Sequence, residues 1–215
     1  MDKHRVGIVI PAFNESATIS GIVESVSKYG IPIVVDDGSE DNTAELSSKS
    51  GAVVTSHKRN LGYDEALNSG FKKAAEMGVE FIITIDADGQ HDPSLVQKFI
   101  DTIDSGSDVV VGIRSRRQRL AEHLFAMYTR FRFGINDPLC GMKAYRTSVY
   151  KSQGYFDSFG SIGTELEIYA ARKGYKITQI EFEVKDRNDK SRFGQVLSGN
   201  YKIIRAMMYF ISGLK

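Results

Sequence analysis

Asp86-Ala87-Asp88 follows Phe81–Ile85, a run of apolar and β-branched residues that reads as a strand buried on both faces. Ligands of open α/β sheets collect at the carboxyl ends of strands. Two carboxylates one residue apart at such an end repel each other unless a cation or a hydrogen-bond donor sits between them. Oxygen ligands of this kind suit Mg2+ or Mn2+, which take one or two carboxylates plus substrate phosphates. A polar turn leaving the strand is the competing reading. A second acidic cluster, Asp36-Asp37-Gly38-Ser39, ends the apolar run Ile33–Val35. Acids there accept hydrogen bonds from a base or from ribose hydroxyls. Turn formation, with Asp41-Asn42 as a helix cap, explains that stretch equally well. Pro11-Ala12-Phe13-Asn14-Glu15 follows the first apolar run, where a dehydrogenase would place a glycine-rich turn and a P-loop would need Gly-Lys-Ser/Thr. Neither occurs in a suitable context, which disfavours both nucleotide folds.

These clusters need a frame, and the first half of the chain supplies one by alternating strand and helix signals, the pattern of a largely parallel sheet with crossover helices. Val6–Ile10 is a strand closed by Pro11, and Ile19, Ile22, Val23 and Val26 recur at helical spacing up to Gly30. Ile33–Val35 and Ala52–Thr55 are further strands, separated from Phe81–Ile85 by a helix with the stripe Ala66, Leu67, Gly70, Phe71 and Ala74. Pro93 opens a helix carrying Leu95, Val96, Phe99, Ile100 and Ile103, and Val109–Val111 is the next strand. After Gly112, arginines 114, 116, 117, 119, 130 and 132 face one acid, Glu122, while Leu120, Leu124, Met127 and Phe131 give the segment a helical stripe. The loop NDPLCG, a helix around Gly163–Lys173, a strand around Ile177–Val184 and the polar break KDRNDKSRFG lead to a terminal helix. No internal repeat, low-complexity tract or interdomain linker is visible.

Seven segments in order, IPAFNE (10–15), VVDDGSEDNT (34–43), NLGYDEALNSGFKKA (60–74), DADGQHDP (86–93), VVVGIRSR (109–116), DPLCGMKAYR (137–146) and RNDKSRFG (187–194), resemble glycosyltransferase family 2. Within it they are similar to the dolichol- or polyprenyl-phosphate sugar synthases. The resemblance implies an α/β GT-A fold, a Rossmann-like, mostly parallel central sheet flanked by helices. It implies a domain over 1–194, with a nucleotide-binding half of about 1–112 and an acceptor half of about 113–194, and then an amphipathic helix over 195–215. By position, Pro11, Phe13, Glu15 and Asp37 would hold base and ribose, and Asp86, Asp88 and Gln90 would surround Mg2+ or Mn2+. Arg114, Arg187, Ser191 and Arg192 would lie near donor or acceptor phosphates, where an arginine fork is apt. Asp88, Arg114 and Asp137 are the expected catalytic set. Asp137 is the candidate acceptor-side carboxylate, with a turn-forming Asp before Pro138 as the alternative.

The implied reaction is an inverting transfer from a UDP- or GDP-linked sugar to a polyprenyl (dolichyl or undecaprenyl) phosphate at the cytoplasmic membrane face. The alternative is the same donor chemistry aimed at a saccharide hydroxyl in surface-glycan or capsule assembly. A sugar nucleotidyltransferase would require a glycine-rich N-terminal loop that is missing, and the Asp86/Asp88 pair argues against a non-enzymatic scaffold. Two features depart from the family pattern. Many lipid-linked synthases continue into transmembrane helices, whereas this chain ends at Lys215, and Asp189 stands where many relatives place a glycine.

Composition is compatible with this reading. At 215 residues, with 41% hydrophobic and 26% charged residues, the chain can bury its own core. A formal net charge of +1 and the lack of a nucleic-acid motif argue against a nucleic-acid partner. The single cysteine, Cys140, excludes an internal disulfide, and no acid or histidine is arranged to make it a nucleophile. No run approaches the ~20 apolar residues of a spanning helix, so a cytoplasmic or peripheral protein is expected. Residues 195–215 place Ile204, Met207, Met208 and Ile211 on one face with Lys202, Arg205 and Lys215 as cations. That helix suits either a membrane surface or the domain's own sheet. The arginine-rich segment 116–133, with Phe125, Tyr128, Phe131 and Phe133, favours the membrane. Of the histidines, only His91 lies beside the metal motif, while His4, His57 and His123 have no partner at ligand spacing.

Overall fold

Short β-branched runs separated by amphipathic helices give the expected alternation in the computed structural model, which describes residues 3–89, 92–116, 119–183 and 196–212. The elements are β1 (Val6–Ala12), α1 (Ile19–Val26), β2 (Ile31–Asp36), α2 (Thr43–Lys49), β3 (Val53–Ser56), α3 (Tyr63–Glu76) and β4 (Phe81–Thr84). They continue as α4 (Leu95–Asp104), β5 (Val109–Arg114), α5 (Leu120–Phe133), β6 (Lys143–Arg146), α6 (Thr147–Gln153), α7 (Glu165–Arg172), β7 (Ile177–Phe182) and α8 (Val196–Ile211). The strands form a seven-stranded sheet in the order β3-β2-β1-β4-β6-β5-β7. All pairings are parallel except those of β6, which runs antiparallel between β4 and β5.

Strand alternation sends side chains into two cores, one on each face of the sheet. Ile8, Ile10 and Val34 point to the side covered by α1 and α4, where Ile22, Val23, Phe99 and Ile103 meet them. Val9, Ile33 and Ile82 point to the side covered by α3, α6 and α7, around Phe71, Tyr145 and Phe156. Gly70 fixes how closely α3 crosses the sheet, because a Cβ there would lie 2.3 Å from Val9 Cγ1. Gly70→Ala is therefore expected to destabilise the fold by about 1–3 kcal/mol through overpacking. An unchanged denaturation midpoint would mean that α3 rides higher than it does here.

Strand β6 carries no apolar run, and the sequence offers no sign of it. Its central position rests on charge compensation instead. The buried Lys143 Nζ donates to the carbonyls of Pro138 and Gly163, each at 2.7 Å, and pairs with Glu167 at 2.8 Å.

Among the described residues, helix α8 packs on other helices rather than on the sheet. Ile203, Ala206 and Phe210 join Ala121 and Phe125 of α5 and Ile168 of α7 in a third core. Tyr209 stacks on Phe159 with ring centroids 3.9 Å apart. The opposite side of the α5/α8 pair stays apolar and exposed: Leu120, Leu124, Met127 and Phe131 on α5, and Tyr201, Ile204, Met208 and Ile211 on α8. Among the described residues no helix is long and apolar enough to cross a membrane.

Candidate active site

The carboxyl ends of β1, β2 and β4 open into a cleft of about 770 Å3. Its far side is built from the N-terminal turn of α3, the 139–141 and 156–163 loops, and α8.

Asp86 and Asp88 stand on the cleft wall, half-buried, while Ala87 between them is in the core. The strand itself ends at Thr84, and a turn at Ala87 and Asp88 follows, with Ala87 packed inward and both carboxylates on the cleft wall. The carbonyl of Ala87 is anchored by Thr18 Oγ1 at 2.8 Å. Asp86 is held from two directions. Tyr63, at the start of α3, donates its hydroxyl to Asp86 Oδ1 at 3.2 Å. Burial, together with the Asp86 charge, raises the Tyr63 phenol well above its ordinary pKa, so it remains a donor. Gly141 lies directly behind the carboxylate, close enough that a Cβ there would sit 2.1 Å from Asp86 Oδ2. Thr84 Oγ1 fixes that glycine by donating to its carbonyl at 2.6 Å.

Pro11, Phe13, Glu15 and Asp37 line the same cleft, as the two N-terminal motifs require, and the motifs are fastened to each other. Asn14, in the left-handed region at φ 54°, receives Glu40 N on its Oδ1 at 2.8 Å, while its own N–H donates to Ser39 Oγ at 2.9 Å. Glu15 N donates to Thr43 Oγ1 at 2.8 Å. The Asp37 carboxylate, expected on base or ribose, is engaged by the protein itself. It accepts from Leu61 N at 2.9 Å and Gly62 N at 2.8 Å, and its Oδ1 lies 2.6 Å from His57 Nδ1. Asp37 therefore shapes the 60–62 loop that leads into α3, and His57 has the close partner that sequence spacing did not show.

The acceptor-side expectations change most. Asp137 is only 1% exposed and is not part of the cleft wall. Both its oxygens are occupied by Arg114, through the backbone N–H at 3.0 Å and the guanidinium Nε and Nη2 at 2.8 Å each. Arg114 does reach the cleft, but it is clamped by Asp137 and, at 3.3 Å, by Glu122. Burial alone would lower the Arg114 pKa, and the bonds to Asp137 more than reverse that, so the guanidinium stays charged. Buried, engaged on both oxygens and absent from the cleft wall, Asp137 does not reach an acceptor in the cleft, which corrects its assignment as the acceptor-side carboxylate. The pair is instead a buried brace between β5 and the loop before β6. Cys140 next to it is a buried thiol pushed up to about 12 by burial and by Asp137, so it is no nucleophile.

Residues 156–163 form a loop pinned from several elements. Asn68 of α3 receives Phe156 N and Asp157 N on its Oδ1, both at 3.0 Å, and Asp64 Oδ1 accepts Gly163 N at 2.7 Å. Burial, helped by the Asp157 charge, raises Asp64 to about 6. Arg205 of α8 donates through Nη2 to Phe159 O at 3.1 Å and Gly160 O at 3.2 Å. Among the described residues, eight carboxylates line the cleft against five cationic side chains, a balance that favours a bound cation. Tyr63, Asp64, Gly141, Lys202 and Arg205 were not singled out as site residues from the sequence. The first three lie inside the segments 60–74 and 137–146, and in sequence the last two are only cations of an amphipathic helix. Gln90, His91, Arg117, Arg187, Asp189, Ser191 and Arg192 lie outside the described residues.

The family model described as "Glycosyl transferase family 2" matches residues 7–157. An undecaprenyl-phosphate 4-deoxy-4-formamido-L-arabinose transferase of Pectobacterium atrosepticum is 27% identical, with 96% of this chain and 68% of that protein covered. A UDP-N-acetylglucosamine–dolichyl-phosphate N-acetylglucosaminyltransferase of Methanococcus voltae is also 27% identical, covering 67% of this chain and 70% of the other. Among solved structures, glucosyl-3-phosphoglycerate synthase of Mycobacterium tuberculosis, crystallised with Mn2+, UDP-glucose and phosphoglyceric acid, superposes with a TM-score of 0.76. That match has 22% sequence identity and covers 97% of this chain and 79% of the other, a likeness of fold.

Proposed function

The chain belongs to glycosyl transferase family 2 and has its GT-A fold, and from that premise we propose that it transfers a sugar, with inversion, from a UDP- or GDP-linked donor to a polyprenyl phosphate. The observation that carries the proposal is the pair Asp86 and Asp88, turned to one side at the end of β4 on the wall of a cleft large enough for a nucleotide sugar. The activities for which the bacterial and archaeal relatives are named, both on polyprenyl phosphates, supply the acceptor class.

The residues fit a hard divalent ion: the donors are carboxylate oxygens, Asp86 is already oriented by Tyr63 and Gly141, and acids outnumber cations along the wall. Asp86, Asp88 and Gln90 would hold Mg2+ or Mn2+, which when bound supplies charge stabilisation to the leaving diphosphate. Pro11, Phe13 and Glu15 form the wall for the base and ribose, with Asp37 holding the 60–62 loop against them. In the transfer, an acceptor phosphate oxygen bonds to the anomeric carbon. The bond from that carbon to the donor's β-phosphate oxygen breaks, and its electron pair leaves with the nucleoside diphosphate. A phosphate acceptor is already an anion and needs no strong base, which accords with the engagement of Asp137 by Arg114. Arg187, Ser191 and Arg192 remain proposed phosphate contacts.

The enzyme would work as a peripheral protein at the cytoplasmic membrane face. The exposed stripes of α5 and α8, with Arg130 and Arg132 at the end of α5, suit an interfacial position against anionic lipid. A saccharide hydroxyl as acceptor is favoured by one feature, Asp64, a cleft carboxylate at about 6 and so a possible proton acceptor near neutral pH. Labelled UDP- and GDP-sugars offered with either a prenyl phosphate or an oligosaccharide separate the two. Metal-dependent product on the prenyl phosphate is expected, and product on the saccharide alone would overturn the proposal.

A further inference from the structure

Helix α8 presents three faces to three environments. Ile203, Ala206 and Phe210 enter the core shared with α5 and α7. Tyr201, Ile204, Met208 and Ile211 form an exposed apolar row. Lys202 and Arg205, one turn apart between those two faces, line the cleft. We propose that this third face is part of the acceptor site, and that Lys202 and Arg205 receive the phosphate of the acceptor. The inference rests on the reading of the protein as a transferase to a phosphorylated acceptor.

Arg205 is not a loose surface arginine. Its Nη2 is seated on the carbonyls of Phe159 and Gly160, which fixes the plane of the guanidinium. Gly160 makes room for it, since at φ 75° a Cβ there would meet Nη2 at 2.7 Å. Nε and Nη1 have no protein partner among the described residues, leaving a preorganised half-fork of the kind that binds phosphate oxygens. The other arginines on the cleft wall are already paired with carboxylates, Arg114 with Asp137 and Glu122, and Arg119 with Glu122. Lys143 is likewise held by Glu167. Arg205 makes no ion pair among the described residues, so its charge is available to an incoming anion. The apolar row lies on the adjoining face of the same helix, where a prenyl chain leaving the phosphate finds a hydrophobic surface.

The test uses the full chain and a soluble short-chain prenyl phosphate, with separate measurement of donor and acceptor KM. Arg205→Gln is expected to raise the acceptor KM about tenfold or more while leaving the donor KM and the Tm near wild type. Arg205→Lys, which keeps the charge but not the fork, should recover part of that loss. Lys202→Gln gives a second reading at the other cation of this face, and a rise confined to the acceptor KM is again expected. If the wild type glycosylates the prenyl phosphate and both Gln variants do so with unchanged acceptor KM, this inference falls and the proposed function stands. Equal increases in both KM values would mark a merely structural arginine and also overturn it. A wild type that glycosylates only an unphosphorylated saccharide overturns both.

Discussion

Asp88→Asn should yield a folded protein with turnover reduced by about a thousandfold or more. The substitution keeps the shape of the side chain and removes only the anionic oxygen, so any loss reports charge rather than packing. Asp88 is half-buried on the cleft wall, whereas Ala87 beside it is in the core, so a change at 88 leaves the hydrophobic packing at the end of β4 alone. A divalent ion held mainly by two carboxylates loses much of its binding free energy when one becomes neutral. The variant should therefore also lose the Mn2+-dependent part of its thermal stabilisation by UDP, a shift that follows mass action on the native state. Tm without ligand should stay near wild type. Turnover within a few-fold of wild type, with metal dependence intact, would show that Asp88 does not hold the metal.

The donor side of this site is legible in sequence because it is built from continuous segments at the ends of buried strands. The apolar run Phe81–Ile85 announces its strand, and Asp86 and Asp88 follow at its carboxyl end, where the cleft opens. The acceptor side is assembled from residues far apart, and there the pattern runs out. Nothing local in NDPLCG tells a presented carboxylate from one already engaged. Arg114, which decides the matter for Asp137, is 23 residues away. Strand β6 is hidden for a related reason, since Lys-Ala-Tyr-Arg has no strand-like apolar pattern and is held centrally by Glu167 and two carbonyls from other segments.

Helix α8 shows a further kind of ambiguity. Its sequence is apolar around much of the circumference, and helical spacing puts Ile204, Met207, Met208 and Ile211 on one face, suited to a membrane surface or to the domain's own sheet. In the fold, a different set, Ile203, Ala206 and Phe210, is buried against α5 and α7, while Ile204, Met208 and Ile211 stay exposed. The helix thus carries two apolar faces, one packed on the domain and one exposed. Seating α8 on α5 is also what brings Lys202 and Arg205 to the cleft.

Gly141→Ala should cost about a hundredfold in turnover, the scale of misplacing a catalytic group by an ångström, although the substitution adds one methyl group at a residue that is no candidate ligand. Its backbone is not in the left-handed region, so alanine meets no conformational penalty there and the effect is one of space. The new Cβ would lie 2.1 Å from Asp86 Oδ2 and 2.7 Å from its Cγ. Neither partner can give way cheaply. Gly141 is tied to β4 through the bond from Thr84 Oγ1 to its carbonyl, and the Asp86 side chain is too short to bend aside without rotating its carboxylate. Rotation also breaks the contact from Tyr63 and turns Asp86 away from the side it shares with Asp88. Weaker apparent affinity for Mn2+ should accompany the loss of rate, with partial recovery at high metal concentration. Gly21→Ala on α1, where a Cβ meets nothing within 4 Å, is the matched control and should leave turnover unchanged. If Gly141→Ala keeps the wild-type rate and metal dependence, the Asp86 orientation set by Thr84, Gly141 and Tyr63 is not the one the reaction uses.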